Sequence, residues 1–173
     1  MKGLPRSLAR AAGGSELTPR RVRYEVKNVT VPVAATGDAD AFGTGVVIGD
    51  LPEGNILLLG GISYLQFTTA DTDLTTTWTG LYAVGTAPMA ADATLTSTEA
   101  DLISSVVLAA ATSRTSPLTK GNKAATALLD NTGGAMEVNL NVVVDNTGIA
   151  SGGAADLTAN GYVDLVFIVL GDN

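Results

Sequence analysis

Any chemistry in this chain must come from carboxylates, amines and guanidinium groups. The sequence holds no cysteine and no histidine. That removes disulfides, thiolate metal ligands and imidazole, and with them most catalytic triads and most zinc sites. Two acidic pairs have loop spacing, Asp38/Asp40 and Asp71/Asp73. Loop carboxylates can ligate calcium. However, Asp38-Ala-Asp-Ala-Phe-Gly lacks the Asp or Asn an EF-hand needs at its fifth position, and Asp71-Thr-Asp-Leu-Thr-Thr lacks both that residue and the following glycine. Both pairs read as Asx turns that serve the backbone. A glycosidase pair is disfavoured, because aromatics for a sugar platform make up only 5% of the chain. Gly43-Thr-Gly45 lacks the third glycine and the helix of a dinucleotide site, and reads as a strand with close backbone packing. The expectation is a protein that is not an enzyme, with no catalytic residue, cofactor, metal site or small-molecule substrate.

The basic groups are more informative. Residues 1–27 carry seven of them (Lys2, Arg6, Arg10, Arg20, Arg21, Arg23, Lys27) against Glu16 and Glu25, a net of +5. The remaining residues carry a net of −12. A basic arm on an acidic body can serve nucleic acid, an acidic protein surface or solubility. The arm lacks interleaved aromatics, which favours protein docking over nucleic acid. Its apolar stretch is interrupted by Pro5, Arg6 and Arg10, so no secretory signal is expected, and no run of residues is long and apolar enough for a membrane helix.

The elements that must position these groups are strands. At 173 residues and 46% hydrophobic content, one domain with a real core is expected. Gly3, Pro5, Gly13, Gly14 and Pro19 break any element in residues 1–20, which read as an extended arm. Residues 21–173 read as the folded domain. Val22, Tyr24 and Val26 share one parity and Val29, Val31 and Val33 the other, so a bulge or a change of sheet is expected at Lys27-Asn28. Pro32 points to an edge or a bulge. Further strands fall at 43–48, 56–59, 62–69 and 75–84, with one helical turn near Ser97-Thr98-Glu99. Tyr64, Trp78 and Tyr82 read as core or interface residues.

The chain ends on its clearest pair of strands. In residues 135–145, Met136, Val138, Leu140, Val142 and Val144 form a dry face, and Glu137, Asn139 and Asn141 a wet one. Residues 161–170 are apolar on both parities, as in a strand covered on both sides. Something outside the monomer is therefore expected there, with Tyr162, Leu165, Phe167 and Val169 as the oligomer interface. Many short strands without a long amphipathic helix predict an all-β fold, a two-sheet antiparallel sandwich or a closed barrel.

The stretch Val-Asn-Leu-Asn-Val-Val-Val-Asp-Asn, a glycine-rich loop and then Asn-Gly-Tyr-Val-Asp-Leu-Val-Phe-Ile-Val-Leu-Gly-Asp resembles the endings of tailed-bacteriophage capsid decoration (cement) proteins. The resemblance covers mainly residues 135–173. It implies a jelly-roll-like sandwich, a homotrimer seated on the outer capsid surface, and the major capsid protein as partner, with synthesis in the host cytoplasm. It also implies that Arg6, Arg10, Arg20, Arg21 and Arg23 contact capsid carboxylates. Two readings stand beside it: a jelly-roll coat protein that forms the shell itself, and a receptor- or glycan-binding module of a tail or fibre.

Overall fold

The computed structural model describes residues 18–36, 40–43, 45–89, 94–125, 128–145, 148–149 and 153–170. Arg6, Arg10 and Asp38 lie outside the described residues, and Asp40 is described only in its backbone. The strands are β1 (Arg20–Thr36), β2 (Asp40–Gly43), β3 (Val46–Asp50), β4 (Gly54–Thr68), β5 (Gly80–Gly85), β6 (Ile103–Leu108), β7 (Thr119–Asn122), β8 (Leu128–Asn131), β9 (Glu137–Val144) and β10 (Ala154–Val169). A single 3-10 turn, Ser97–Glu99, is the helical turn expected there. Thr96 caps it, and the Glu99 carboxylate accepts from the Thr96 amide at 3.1 Å.

These strands make a two-sheet antiparallel sandwich of jelly-roll-like type. One sheet holds β1, β10 and β4, flanked by β7 and β8. The other holds β6, β5 and β9, with β3 on the outer edge of β9. The sheets are joined at both sides. β2 pairs β1 through Val33↔Gly43 and β9 through Ala41↔Val144. On the opposite side, an Ile103↔Lys123 bridge ties β6 to the end of β7. The core fills the space between. It sets Val26, Val31, Leu65, Phe67, Leu157 and Val163 against Tyr82, Val84, Ile103, Leu140 and Val142, all buried. Trp78 and Tyr82 belong to this core; Tyr64 lies half-buried on the outer face.

The bulge expected at Lys27-Asn28 is present. Register slips between Val26 and Val29, and Asn28 takes a φ of 51°. Both sets, Val22/Tyr24/Val26 and Val29/Val31/Val33, thereby face the core. Pro32 pairs with Asp156 of β10, while the other edge of β1 takes up β2 only from Val33 onward. Gly60-Gly61 does not end a strand. β4 runs through it, with a register shift opposite Val166/Phe167. Gly45 fits the close-packing reading: a Cβ there would lie 2.4 Å from the Asn141 Oδ1 and 2.7 Å from the Pro88 Cα.

The wet face expected for β9 is not wet. Asn139 and Asn141 are 1% and 0% exposed. Ala87, Met89 and Glu99 close over Asn141. The Asn141 side chain accepts from the Met89 amide at 2.8 Å and donates to the Ala87 and Glu99 carbonyls at 3.0 and 2.8 Å. Met89, Leu95, Ala83 and Val143 form a second small apolar cluster. Asn139 has no hydrogen-bond partner for either amide atom, a cost the surrounding burial must offset.

At Gly161 the backbone requires glycine. Its φ is +138°, and a Cβ would meet the Tyr64 carbonyl oxygen at 1.9 Å. Gly161→Ala should lower stability in urea unfolding by about 2–4 kcal/mol. Gly133→Ala, where a Cβ meets nothing within 4 Å, is the control and should change it by less than about 0.5 kcal/mol.

Candidate functional site

The chemistry expected of the basic end is concentrated where β1 meets β10. Register places Arg21 opposite Val166, Arg23 opposite Asp164 and Glu25 opposite Tyr162. All of these side chains point outward, because their neighbours Tyr24, Val26, Val163 and Leu165 point into the core. Asp164 is 3% exposed. Arg23 grips it with two hydrogen bonds, Nε to Oδ1 at 2.8 Å and Nη2 to Oδ2 at 2.7 Å. The Arg21 guanidinium bonds the same Oδ2. Such a fork is the strong form of an arginine–carboxylate pair.

The Arg23 guanidinium also covers the Tyr162 ring, at 3.9 Å from its centroid. Tyr162 in turn packs on Tyr64 of β4, with ring centroids 5.5 Å apart. A ladder of cation, ring and ring thus crosses three strands. Two guanidinium groups share one carboxylate, so the site keeps a net charge of about +1. Both arginines remain accessible, with side chains 63% and 42% exposed for Arg21 and Arg23. Arg20 is exposed beside them.

Arg20 also lines an open cleft of about 390 Å³ with Val22, Tyr24, Asp50, Leu51, Pro52 and Phe167. The Tyr24 hydroxyl donates to the Asp50 carbonyl at 2.9 Å. Burial, with the Asp50 charge adding to it, pushes that hydroxyl up to about 12, so it stays protonated.

Three of the four expected oligomer residues fall on the inward parity. Leu165 and Phe167 are 0% and 1% exposed and fill the monomer core, so they have no surface to offer a partner. Val169 packs partly buried against the same core. Tyr162 alone of the four points outward. The outward residues of β10 are Tyr162, Asp164, Val166 and Ile168. The second apolar parity seen in the sequence belongs to Val166 and Ile168, which are half-buried.

The acidic pair Asp71/Asp73 serves a turn. The Asp71 Oδ1 accepts from the Asp73 amide at 3.1 Å, the geometry of an Asx turn. No cluster of metal-ligating residues occurs among the described residues. Sequence reasoning did not single out Asp164. Its only signal was a charge inside an otherwise apolar strand.

Asp164 also sets a pH dependence. Hydrogen bonding from Arg23, then from Arg21, holds its carboxyl at about 2, below the ordinary 3.8, against the opposing effect of burial. The stabilisation is complete above the unfolded value and is lost as pH falls from 3.8 towards 2. Asp164→Asn should cost roughly 1–3 kcal/mol near neutral pH and flatten the acid limb of the stability curve in that window. Urea titrations at several pH values read both effects. An unchanged acid limb in the variant would contradict the assignment.

No protein-family model matches the chain, and no curated protein does. Among solved structures it is similar to a mutant VP2 protein of infectious bursal disease virus from derived T=1 particles. That likeness has a TM-score of 0.41 at 15% identity, over 87% of this chain and 32% of the other. It is similar also to infectious bursal disease virus of the Gx strain, with a TM-score of 0.40 at 14% identity over 90% of this chain and 34% of that one. The chain spans about a third of the length of these structures.

Proposed function

We propose that this chain is a structural virion protein, a decoration or cement protein that binds an assembled phage capsid. One observation carries the reading: the basic arm leaves the domain where exposed guanidinium groups already stand. β1 starts at Arg20, and Arg20 and Arg21 are exposed at its first two positions. Residues 1–17 add Lys2, Arg6 and Arg10 against Glu16. The strand that carries the arm is paired to β10 from Arg20 onward, so the arm is rooted in a rigid sheet. A long basic segment on a rigid acidic body suits docking to carboxylates spread over several neighbouring subunits. Each contact is modest, and their sum grows through effective concentration. The resemblance of residues 135–173 to cement proteins supports the same reading.

A protein that binds only the assembled shell stabilises that shell by mass action. Its function needs no proton transfer and no bound cofactor. The outer capsid surface is the place where such binding needs no entry into a closed particle.

The test is co-sedimentation with undecorated shells of the phage that encodes the chain. Full-length protein should bind saturably, and binding should weaken at least about tenfold between roughly 0.05 and 0.5 M salt. Removal of residues 1–19 should weaken it by at least about tenfold at low salt. Equal binding by the truncated protein would sink the docking arm. Assembly of the purified protein into closed particles would establish the coat-protein reading instead.

A further inference from the structure

The outer face of β10, β4 and β8 carries an apolar strip that nothing among the described residues covers. Leu59, Leu128 and Leu170 are 46%, 59% and 39% exposed. Leu57, Val166 and Ile168 are half-buried beside them. Register brings them together. Ile168 pairs with Leu57, Leu57 pairs with Leu128, and the Leu170 amide bonds the Asn55 carbonyl at 2.7 Å. Leu59 projects from the register shift opposite Val166/Phe167. The alternate residues Ile56, Leu58, Leu129 and Phe167 point into the core, so the strip is the sheet's other side. Contiguous exposed leucines of this kind mark interaction surfaces.

We propose that this strip binds the same strip of a second copy of this chain about a two-fold axis. The charges at its ends select that occupant. At the β1 end stands Arg21, in the site that keeps a net of about +1 over Asp164. At the β8 end stands Asp130, exposed, with its carboxylate accepting from the Thr132 hydroxyl at 2.8 Å. Consider an axis lying in the interface midway between Arg21 and Asp130. The register puts that midpoint between Ile168 and Leu57. A half-turn about the axis exchanges the two ends. Arg21 of each copy then faces Asp130 of the other, and the apolar strip lies on itself. A surface with one basic end, one acidic end and an apolar centre is self-complementary in the isologous sense.

The opposite sheet shows what happens where no partner is needed. There Met89 and Leu95 of the chain's own segment cover Ala83 and Val143. The β10–β4 face has no such cover among the described residues. Self-association through it does not use residues 1–19, and their removal should leave it intact.

The experiment is sedimentation equilibrium of the full chain and three single variants. The wild type should weigh twice 17.5 kDa at micromolar concentration. Leu59→Lys and Asp130→Arg should each weaken self-association at least about tenfold. Val107→Lys, at a site 71% exposed on β6 of the other sheet, should leave the dimer unchanged. All substituted side chains are exposed, and far-UV circular dichroism with a thermal melt confirms that each variant folds. A monomeric wild type, the three-fold mass implied by the resemblance, or a dimer indifferent to Leu59→Lys would overturn the proposal. Capsid binding lost with the dimer intact would count only against the cement reading.

Discussion

One buried carboxylate sets what the basic end of the chain is free to do. Asp164 sits in the middle of the strand with the longest apolar run, on the face away from the core, yet it is 3% exposed. A carboxylate so covered is tolerable only when it is paired and hydrogen-bonded. Arg21 and Arg23 meet that need. In doing so they fix the first turnings of β1 against β10, and Tyr162 and Tyr64 stack the arrangement onto β4. The two arginines are thus structural first. What they offer a partner is the surplus: one net charge and the N–H groups that Asp164 leaves unused. Arg20, one residue earlier, faces the cleft instead and is outside this cluster. Three neighbouring arginines that look equivalent in sequence therefore have different freedom.

Period-two patterning made much of the fold legible. The change of parity after Lys27-Asn28 marked a bulge because a half-buried strand must return its valines to the core. The doubly apolar run of 161–170 marked a strand with two covered faces, but the pattern does not say which parity faces inward. Leu165 and Phe167, expected at an oligomer interface, lie inward, and Val166 and Ile168 take the outer role. That choice depends on register with β1 and β4, more than ninety residues away in the sequence.

The illegible parts share one cause: long-range cover. Asn139 and Asn141 alternate with valine and leucine as solvent-facing residues do. They are dry because cover comes from elsewhere in the chain: Ala87, Met89 and Glu99 all bond to the Asn141 side chain. No local pattern encodes that. β7, Thr-Lys-Gly-Asn, has no apolar periodicity and reads as loop. It is a strand because the edge of β4 offers it a ladder from Ile62 to Leu65. The run Asp130-Asn131-Thr132-Gly133 has the residue types of an Asx turn. The part played by Asn131 was not legible: it holds the Leu51 and Pro52 carbonyls and the Met136 amide.

The closure of the sandwich constrains how this protein can associate. Proteins with open sheets can add a partner's strand along a free edge. Here β2 ties the sheets on one side, and β6 and β7 meet through Ile103 and Lys123 on the other. The outlying strands β3, β7 and β8 are four or five residues long and offer little ladder to a partner. Among the described residues a sheet face remains, and the proposed arm is a second means. The face from Leu57 to Leu170 is apolar with a charge at each end, and the terminus is basic and rooted at Arg20. Different forces govern them, burial for the face and screened charge for the arm. Salt should therefore loosen the arm more than the face, where only the end pair of Arg21 and Asp130 is screened.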